Sequence, residues 1–355
     1  MSGQIIASRT FTAENQSSFA RLSLDRNPMH LDAAFARRTQ MGAPVVHGIH
    51  TLLWTLDTVL RSFVFDVRNI RVRFHQPLYL NEVAWIRIVR ATKPAVSIEV
   101  LDDHTVIAAI RLASEPGKLT GSSARGLDLA PQTIADPVDL SFEQMAGRRG
   151  AVATAAGDNE DKEITALFPA VSGRIGLAAV RALLATSQVV GMACPGLHSL
   201  FAGLDINVDS TSAHARALCY AVSRTDARFR SLQIDVAGSG IAGRIEAFAR
   251  LPPPAKPGMT AVAARVQNDA FAGQRVLVVG GSRGLGEVTA KIIAAGGGYP
   301  VITYRDGQRE ADSVATDIRQ AGRQCEIIRY DALEPAGGQL EGIGAIGCAY
   351  YFATT

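Results

Sequence analysis

The sequence predicts an α+β protein in which apolar helices are wrapped by antiparallel strands, followed by the start of a parallel α/β unit. Three observations predict it. A long apolar helical segment at 47–62 is followed by alternating strand patterns. A weaker copy of this order follows in the middle of the chain. Near the end, a buried strand leads into a glycine-rich turn and a helix. A length of 355 residues agrees with about two or three domains.

Composition excludes some classes of function. The chain is 47% hydrophobic and 19% charged, with a net charge of +3, and its basic residues are scattered. This pattern does not predict a nucleic-acid-binding surface. The segment 67–74 (VRNIRVRF) mixes Arg68, Arg71 and Arg73 with apolar residues. We interpret it as the polar face of a strand, and a phosphate-binding patch is the alternative.

Cysteine use and hydropathy predict the compartment. The four cysteines show neither a CxxC pair nor metal-ligand spacing, and the N-terminus does not resemble a signal peptide. We therefore expect reduced thiols in a cytoplasmic protein. No apolar run reaches the ~18 residues that a membrane span needs.

The segment Leu22–Gly48 carries the first candidate site. Asp25 and His30 lie five residues apart across Asn27-Pro28. Asn is a favoured N-cap and Pro fits the first helical position, so a helix is predicted over Pro28–Thr39. His30 then lies in the first turn and Asp25 in the preceding loop, so the two side chains can converge. The positive helix end favours a neutral imidazole, whereas a nearby carboxylate acts in the opposite direction.

The next segments predict a sheet around a buried helix. The helix at 47–62 has apolar residues at helical spacing and few charges, which is typical of a helix covered by other structure. Strand patterns follow at 72–78, 83–89, 97–101 and 106–112.

These motifs resemble a known family. The pattern Asp25-x-Asn27-Pro28-x-His30-x-Asp32, then Phe35-Ala36 and Gly42-x-x-Val45-Val46-His47-Gly48, is similar to the signature of MaoC-type dehydratases, or (R)-specific enoyl-CoA hydratases. The match covers about a third of the chain. The resemblance implies a hot-dog fold and reversible hydration of a trans-2-enoyl thioester to an (R)-3-hydroxyacyl thioester. It also implies that Asp25 and His30 are the catalytic pair and that the Gly48 N–H binds the thioester carbonyl.

The chemistry agrees with that implication. Hydration needs a base for water and an acid for Cα, and a backbone N–H at a helix start can stabilise the enolate oxygen. We assign water activation to Asp25 and proton relay to His30, with the reverse left open. The alternative for the motif is that Asp25 and Asn27 only cap a helix and His30 is a surface imidazole.

Other residues near the pair have assigned or open roles. Asn27, Val46 and His47 are candidate substrate-binding residues, although a structural role is favoured for His47 and His50. We assign no role to His75 or His104. Relatives often carry a Ser eight residues after the Gly that corresponds to Gly48. This chain has Leu56 there, so the sequence leaves open which other residue holds the catalytic pair in position.

The middle of the chain predicts a second hot-dog unit that lacks the catalytic pair. Residues 119–148 are interpreted as a linker and 149–251 as a second hot-dog unit, completing a double hot-dog with the first at 1–118. Pro195–Leu200 parallels His47–Leu52 at an offset of 148 residues. At that offset Gly173 and Ala178 correspond to Asp25 and His30, so we expect this unit to be non-catalytic. It either makes room for a long acyl chain or is only a packing partner.

After a Pro-rich linker at 252–270, residues 271–355 predict a partial Rossmann domain. The spacing of glycines after a buried strand resembles short-chain dehydrogenases/reductases, which implies NADP(H) as cofactor. Arg283 and Arg305 favour NADP over NAD, whereas Asp306 opposes it. The candidate cofactor-binding residues are Gly280, Ser282, Arg283, Gly284, Leu285, Gly286, Arg305 and Asp331.

This last domain includes only about half of such a sheet. The family's Tyr-x-x-x-Lys pair and its Ser are expected later than the last residue, Thr355. A fragment of a longer polypeptide, a natural truncation and a packing remnant are the alternatives. We favour the first, because an unfinished parallel sheet has an open edge. We expect no reductase activity from this chain alone.

The sequence therefore predicts an acyl-thioester dehydratase/hydratase, with no metal and no cofactor for that reaction. A non-catalytic acyl-thioester-binding module and an NADP-binding regulatory protein are the alternatives. The acyl carrier (CoA or an acyl carrier protein), the chain length, the pathway and a homodimer are left open.

Overall fold

The computed structural model describes residues 3–118, 123–154, 157–208, 216–252 and 255–353. It divides into an N-terminal unit, Met1–Pro252, and a C-terminal unit, Pro253–Thr355. We describe each unit by itself.

The first half of the N-terminal unit has a long buried helix between a group of short helices and a run of strands. Its elements are β1 (Gln4–Thr10), α1 (Ala13–Ser23), α2 (Pro28–Leu31), α3 (Ala33–Arg37), α4 (Gly48–Ser62), β2 (Asn69–Phe74), β3 (Val83–Thr92), β4 (Ala95–Asp102) and β5 (Thr105–Ala113). Helix α4 is buried almost all round, from Ile49 to Leu60. This confirms the predicted apolar helix followed by antiparallel strands.

The second half repeats this order with different loops. Its elements are α5 (Phe142–Met145), β6 (Arg149–Ala153), α6 (Asp158–Leu167), α7 (Pro169–Ile175), α8 (Leu177–Gln188), a π-helical turn (Val189–Ala193), β7 (Ser199–Val208), β8 (Ala217–Asp226), β9 (Ser231–Gly238) and β10 (Ile241–Ala249). A helix was predicted over Ile175–Gln188. The structure breaks it at Gly176, whose φ of +84° favours glycine.

The two halves share one sheet and one core. Ten strands pair antiparallel in the order β1-β3-β4-β5-β2-β7-β10-β9-β8-β6, so each half contributes five. The halves meet where β2 pairs with β7, with Ile70 opposite Ile206. One continuous cluster of buried apolar side chains joins Leu53 of α4 to Leu183 of α8. The arrangement is the predicted hot-dog, a helix wrapped by antiparallel strands, present twice.

The predicted offset between the halves is wrong. Strands β4 and β9 begin at 95 and 231, and β5 and β10 begin at 105 and 241, so these strands repeat at an interval of 136 residues rather than 148. Pro195–Leu200 leads into strand β7, whereas His47–Leu52 begins helix α4. The two segments look alike because both contain Gly and His, although they connect different elements of the fold. Gly173 and Ala178 are therefore not counterparts of the acid and the histidine.

The predicted linkers are partly built into the fold. Residues 119–122 lie outside the described residues. From Ser123 onward the chain packs on the second half, where Ser123 donates hydrogen bonds to Asp235 and Val138 N–H donates to Met192 O. In the later linker Met259 and Val262 are buried in the core of the C-terminal unit.

The arginines of the segment 67–74 each have an acidic neighbour. Arg68 pairs with Asp66, Arg71 with Asp205, and Arg73 lies 4.0 Å from Glu246. These pairs favour the interpretation as a solvated strand face over a phosphate patch.

The C-terminal unit is a small parallel α/β layer. It contains α9 (Met259–Ala263), β11 (Arg275–Val279), α10 (Gly284–Ala295), β12 (Tyr299–Tyr304), α11 (Gln308–Gln320), β13 (Glu326–Arg329), α12 (Ala336–Gln339) and β14 (Cys348–Tyr351). The four strands are parallel in the order β13-β12-β11-β14. The four strands of the described residues are fewer than a complete dinucleotide-binding sheet has, so the assignment as a Rossmann domain stays a prediction.

The four cysteines are free, and three of them are buried. Among the described residues, no single helix has the length and apolar composition to cross a membrane. Helix α7 and the run Leu177–Ala193 meet that test only together, and they are bent by 111°.

Candidate active site

Asp25 lies in the tight connection between α1 and α2, and its carboxylate is buried. Leu24, with a φ of +57°, ends α1 in the left-handed region and turns the chain inward. Ser187 Oγ donates to Asp25 Oδ2 at 2.7 Å, and the Asn27 N–H donates to Oδ1 at 3.2 Å. Burial raises the pKa of Asp25 above 3.8, whereas the His30 charge and these two hydrogen bonds lower it.

Asn27 caps α2 and ties the two halves together. Its Oδ1 accepts the Met29 N–H at 3.1 Å, with Pro28 at the first helical position, as the sequence predicts. Its Nδ2 faces three carbonyl oxygens of the second half, those of Gly191 (2.9 Å), Gly196 (3.1 Å) and Leu197 (3.3 Å). One residue therefore fixes both the helix start and its position against the second half.

The helix predicted over Pro28–Thr39 is two short helices. Asp32 leaves helical geometry, with φ −115° and ψ 107°, and caps α3 by accepting the Ala34 and Phe35 N–H groups. An Asp side chain that bonds nearby backbone competes with helix continuation, which explains the break.

His30 is oriented by the backbone. Its Nδ1 lies 2.7 Å from Val45 O. A carbonyl only accepts, so Nδ1 carries the proton and Nε2 is left as the basic nitrogen. Burial lowers the pKa of His30 below 6.5, and the Arg250 charge lowers it further, whereas Asp25 raises it. His30 is therefore placed as a neutral proton acceptor.

A second imidazole lies under the first. The His47 ring stacks on His30 with centroids 3.7 Å apart. Gln16 Oε1 accepts from the His47 N–H (3.0 Å) and Nδ1 (2.8 Å), and Gln16 Nε2 donates to His50 Nδ1 (3.1 Å). Burial lowers the pKa of His47 well below 6.5 and that of His50 to about 3. Both rings are neutral parts of the packing that holds His30.

The pair and His47 are close enough to chelate a cation. A carboxylate oxygen of Asp25 and one ring nitrogen each of His30 and His47 lie within 4.8 Å of one another. Both His47 nitrogens already face protein groups, because Nε2 lies 3.2 Å from Asp25 O. The cluster therefore fits acid–base chemistry better than metal binding.

A cavity of about 380 Å³ opens at this pair. Gly48 lines it at the start of α4, where the first N–H groups of a helix have no intrahelical acceptor. A Cβ at Gly48 would lie 2.8 Å from Phe74 Cζ, so glycine lets that ring close the wall. Of the candidate substrate-binding residues, Asn27 and Val46 line the cavity. His47 does not, because it lies behind His30.

The second half lines the cavity with residues that were not predicted from the sequence. Ser187 comes from α8 and Gly191 from the π-helical turn. A Cβ at Gly191 would lie 2.6 Å from Asp25 Cγ, so only glycine admits the carboxylate. Leu56, where relatives often carry a Ser, is buried in the core, and Ser187 donates to Asp25 from the other half. The available sequence signal for Ser187 and Gly191 was their position late in an apolar helical segment.

Two further lining residues with ionisable side chains were missed. His75, to which no role was assigned, borders the cavity, as does Arg250 after β10. His104 is almost fully exposed beside Asp103, away from this site.

In the C-terminal unit, the glycine-rich turn links β11 to α10. Gly280 and Gly284 have φ values of +76° and +64°. A Cβ at Gly286 would lie 2.9 Å from the Gly280 carbonyl carbon, so glycine permits the helix to start against the turn. Thr303 Oγ1 accepts the Gly280 N–H at 3.0 Å from the neighbouring strand.

The other residues predicted to bind NADP(H) are less well arranged for binding a cofactor. Arg305 Nε donates to Asp306 at 2.8 Å, so the cation assigned to a 2′-phosphate already has an acidic partner. Asp331 Oδ1 accepts the Leu333 N–H at 3.0 Å in a local turn. Leu285 is 73% exposed at the start of α10, and Ser282 and Arg283 lie in the turn itself.

Comparisons with known proteins identify the N-terminal region. Residues 4–108 match the family model described as MaoC like domain. A segment of 75 residues is 37% identical to the peroxisomal multifunctional enzyme type 2 of Mus musculus, covering 20% of this chain and 10% of that protein. Another of 42 residues is 50% identical to the (R)-specific enoyl-CoA hydratase of Aeromonas caviae, covering 12% of this chain and 31% of that protein. The N-terminal region is therefore a MaoC-like domain with hydratase relatives.

The matched segments thus span only a tenth to a third of these relatives. Among solved structures, a MaoC-like dehydratase aligns over 70% of this chain and 98% of its own, at 10% identity and a TM-score of 0.47.

Proposed function

We propose that this chain interconverts (R)-3-hydroxyacyl and trans-2-enoyl thioesters, carried on CoA or an acyl carrier protein. The observation that carries the proposal is the convergence of Asp25 and His30 in one cavity, with the start of α4 beside them. The MaoC-like domain and its hydratase relatives support it.

The geometry favours His30 as the base and Asp25 as the acid in hydration, the reverse of the assignment favoured from sequence. His30 Nε2 takes a proton from water, and the hydroxide adds to Cβ. The resulting enolate oxygen is stabilised by the Gly48 N–H, as at other oxyanion sites. Asp25, whose pKa is raised by burial, then protonates Cα. Dehydration runs through the same groups in reverse.

Hydration of crotonyl-CoA, followed at the loss of enoyl absorbance, tests the proposal. Asp25→Asn and His30→Ala should each lower kcat/KM by about 100-fold or more. The neighbouring pair Asp103 and His104 is exposed, so Asp103→Asn and His104→Ala are matched controls that should retain activity. Full activity in either site variant would show that the pair is not catalytic. A wild-type chain that binds crotonyl-CoA without hydrating it would be a thioester-binding module.

For the C-terminal unit we propose an incomplete NADP(H)-binding site. The turn Gly280–Gly286 and the start of α10 would hold the pyrophosphate, as helix N-termini hold anions. NADP(H), when bound, would supply a hydride. We expect no ketone reduction by this chain alone, because the parallel sheet of the described residues has four strands, fewer than a complete dinucleotide-binding sheet.

A further inference from the structure

Arg250 presents a cation to the cavity from the second half. It follows β10 directly and lines the same cavity as Asp25 and His30. Its N–H donates to His198 O at 2.8 Å, and its Nε donates to Ser199 O at 3.3 Å. These two bonds fix the backbone and the inner end of the guanidinium.

One nitrogen at the outer end of that guanidinium, Nη2, has no partner among the described residues. It is shielded from solvent and makes no hydrogen bond to any residue in the described part of the chain. Within that same part, no carboxylate forms an ion pair with Arg250. Burial lowers the pKa of Arg250 to about 10, so it remains a cation at neutral pH. A partly buried cation without a counter-ion is unfavourable, and an anionic ligand would relieve it.

The other residues that line the cavity indicate which anionic group would bind beside Arg250. Apolar side chains form much of the lining, including Leu78, Ile107, Val190 and Phe248, and they would suffice for a neutral acyl chain. Arg250 lines the same cavity as Asp25 and His30, so an anion bound beside it shares that cavity with the reacting part of the substrate. The phosphates of CoA or of a carrier protein are separated from the thioester by the whole pantetheine arm. An anion beside Arg250 therefore belongs to the acyl part.

We propose that Arg250 forms an anion subsite, and that the substrates are enoyl thioesters whose acyl chain carries a carboxylate. The proposal rests on the proposed function for the reaction, but the recognition of the carboxylate does not depend on turnover. In the complex the carboxylate lies beside the Arg250 guanidinium as its counter-ion, while Nε keeps its bond to Ser199 O. Arginine suits this role, because its planar guanidinium offers several donors at once.

Binding of two non-reacting thioesters tests the subsite. Glutaryl-CoA and butyryl-CoA differ by the terminal carboxylate, and calorimetry gives the ratio of their affinities in one protein. The wild type should prefer glutaryl-CoA, and Arg250→Met should reduce that preference by about 30-fold. Arg250→Lys, which keeps the charge, should retain part of it. Arg228→Met removes an exposed charge from the same half and is the matched control.

The source of the anion is tested with pantetheine thioesters of the same two acyl groups, which lack the CoA phosphates. An Arg250-dependent preference for glutaryl over butyryl should persist on pantetheine. If Arg250 matters only for the CoA esters, it binds phosphate and the proposal is wrong. Equal loss of both ligands in Arg250→Met, or no preference in the wild type, would also overturn it.

The two proposals fail in different ways. If neither crotonyl-CoA nor glutaconyl-CoA is hydrated, the hydratase proposal fails, while an Arg250-dependent preference for glutaryl-CoA would still establish the subsite. If both are hydrated and Arg250→Met leaves the ratio of their kcat/KM values unchanged, the anion-subsite proposal is wrong and the hydratase proposal stands.

Discussion

Ser187 donates a 2.7 Å hydrogen bond to Asp25 although the two residues lie 162 positions apart and in different halves of the fold. The hydroxyl comes from the buried helix α8 and reaches the carboxylate that precedes α2. The second half is thus joined to the candidate pair Asp25 and His30 through a contact on the Asp25 carboxylate.

Ser187→Ala should reduce kcat/KM for crotonyl-CoA by about tenfold, because the buried Asp25 carboxyl group loses the hydrogen bond that holds it in position. The hydroxyl favours the ionised carboxylate, so its removal should also raise the pKa of Asp25 further. If Asp25 acts as the acid in hydration, the alkaline limb of the pH–rate profile moves to higher pH.

Ser17→Ala is the matched control, since that hydroxyl is exposed and bonds only within α1. A shift of the acid limb instead would show that Asp25 is the base. An unchanged profile would show that Ser187 has a packing role alone.

Gly191→Ala should lower activity by about 100-fold with little change in overall fold. The added Cβ would lie 2.6 Å from Asp25 Cγ, so the carboxylate must move, and a displacement of about 1 Å can cost that much. Gly173→Ala is the control in the same half, because no atom lies within 4 Å of its added Cβ. Equal activity of the two variants would mean that the site tolerates a displaced Asp25.

The buried imidazoles make stability depend on pH. The unfolded chain binds a proton at His50 below about pH 6.5, whereas the folded pKa is about 3. Between these values the unfolded state binds more protons, so the free energy of unfolding falls as the pH falls. His50→Gln should reduce this slope between pH 4 and 6 by up to ~1.4 kcal/mol per pH unit.

Urea unfolding at several pH values measures that slope. His104→Gln should leave it unchanged, because His104 is exposed. The same slope in wild type and His50→Gln would show that His50 is protonated in the folded protein.

For the C-terminal unit, a fluorescence titration with NADPH should show binding that Gly286→Ala weakens by about tenfold or more, because the added Cβ meets the turn. Gly337→Ala, in the same unit with open space around it, is the control. Addition of a 3-ketoacyl thioester should not oxidise NADPH. Absence of binding in the wild type would make the turn purely structural, and turnover would contradict the expected lack of reductase activity.

Some features of this protein follow from local sequence alone. The Asn27 cap, the first turn that holds His30, the buried helix α4 and the strand–turn–helix at Gly280 depend on residues close in the chain. Cap chemistry and hydrophobic periodicity are short-range effects, so a single sequence is enough to predict them. The MaoC-like motif also placed Asp25 and His30 near each other before any tertiary contact was known.

Only the tertiary structure decided how that site is completed. Ser187, Gly191 and Arg250 reach it because β2 and β7 join the two halves in one sheet and because α8 ends in a π-helical turn. Their distance along the chain leaves no periodicity or spacing to detect. The interval of 136 residues between the later strands was also hidden, because the loops before them differ in length. Long-range contacts, set by packing rather than by propensity, thus make the second half part of the candidate active site.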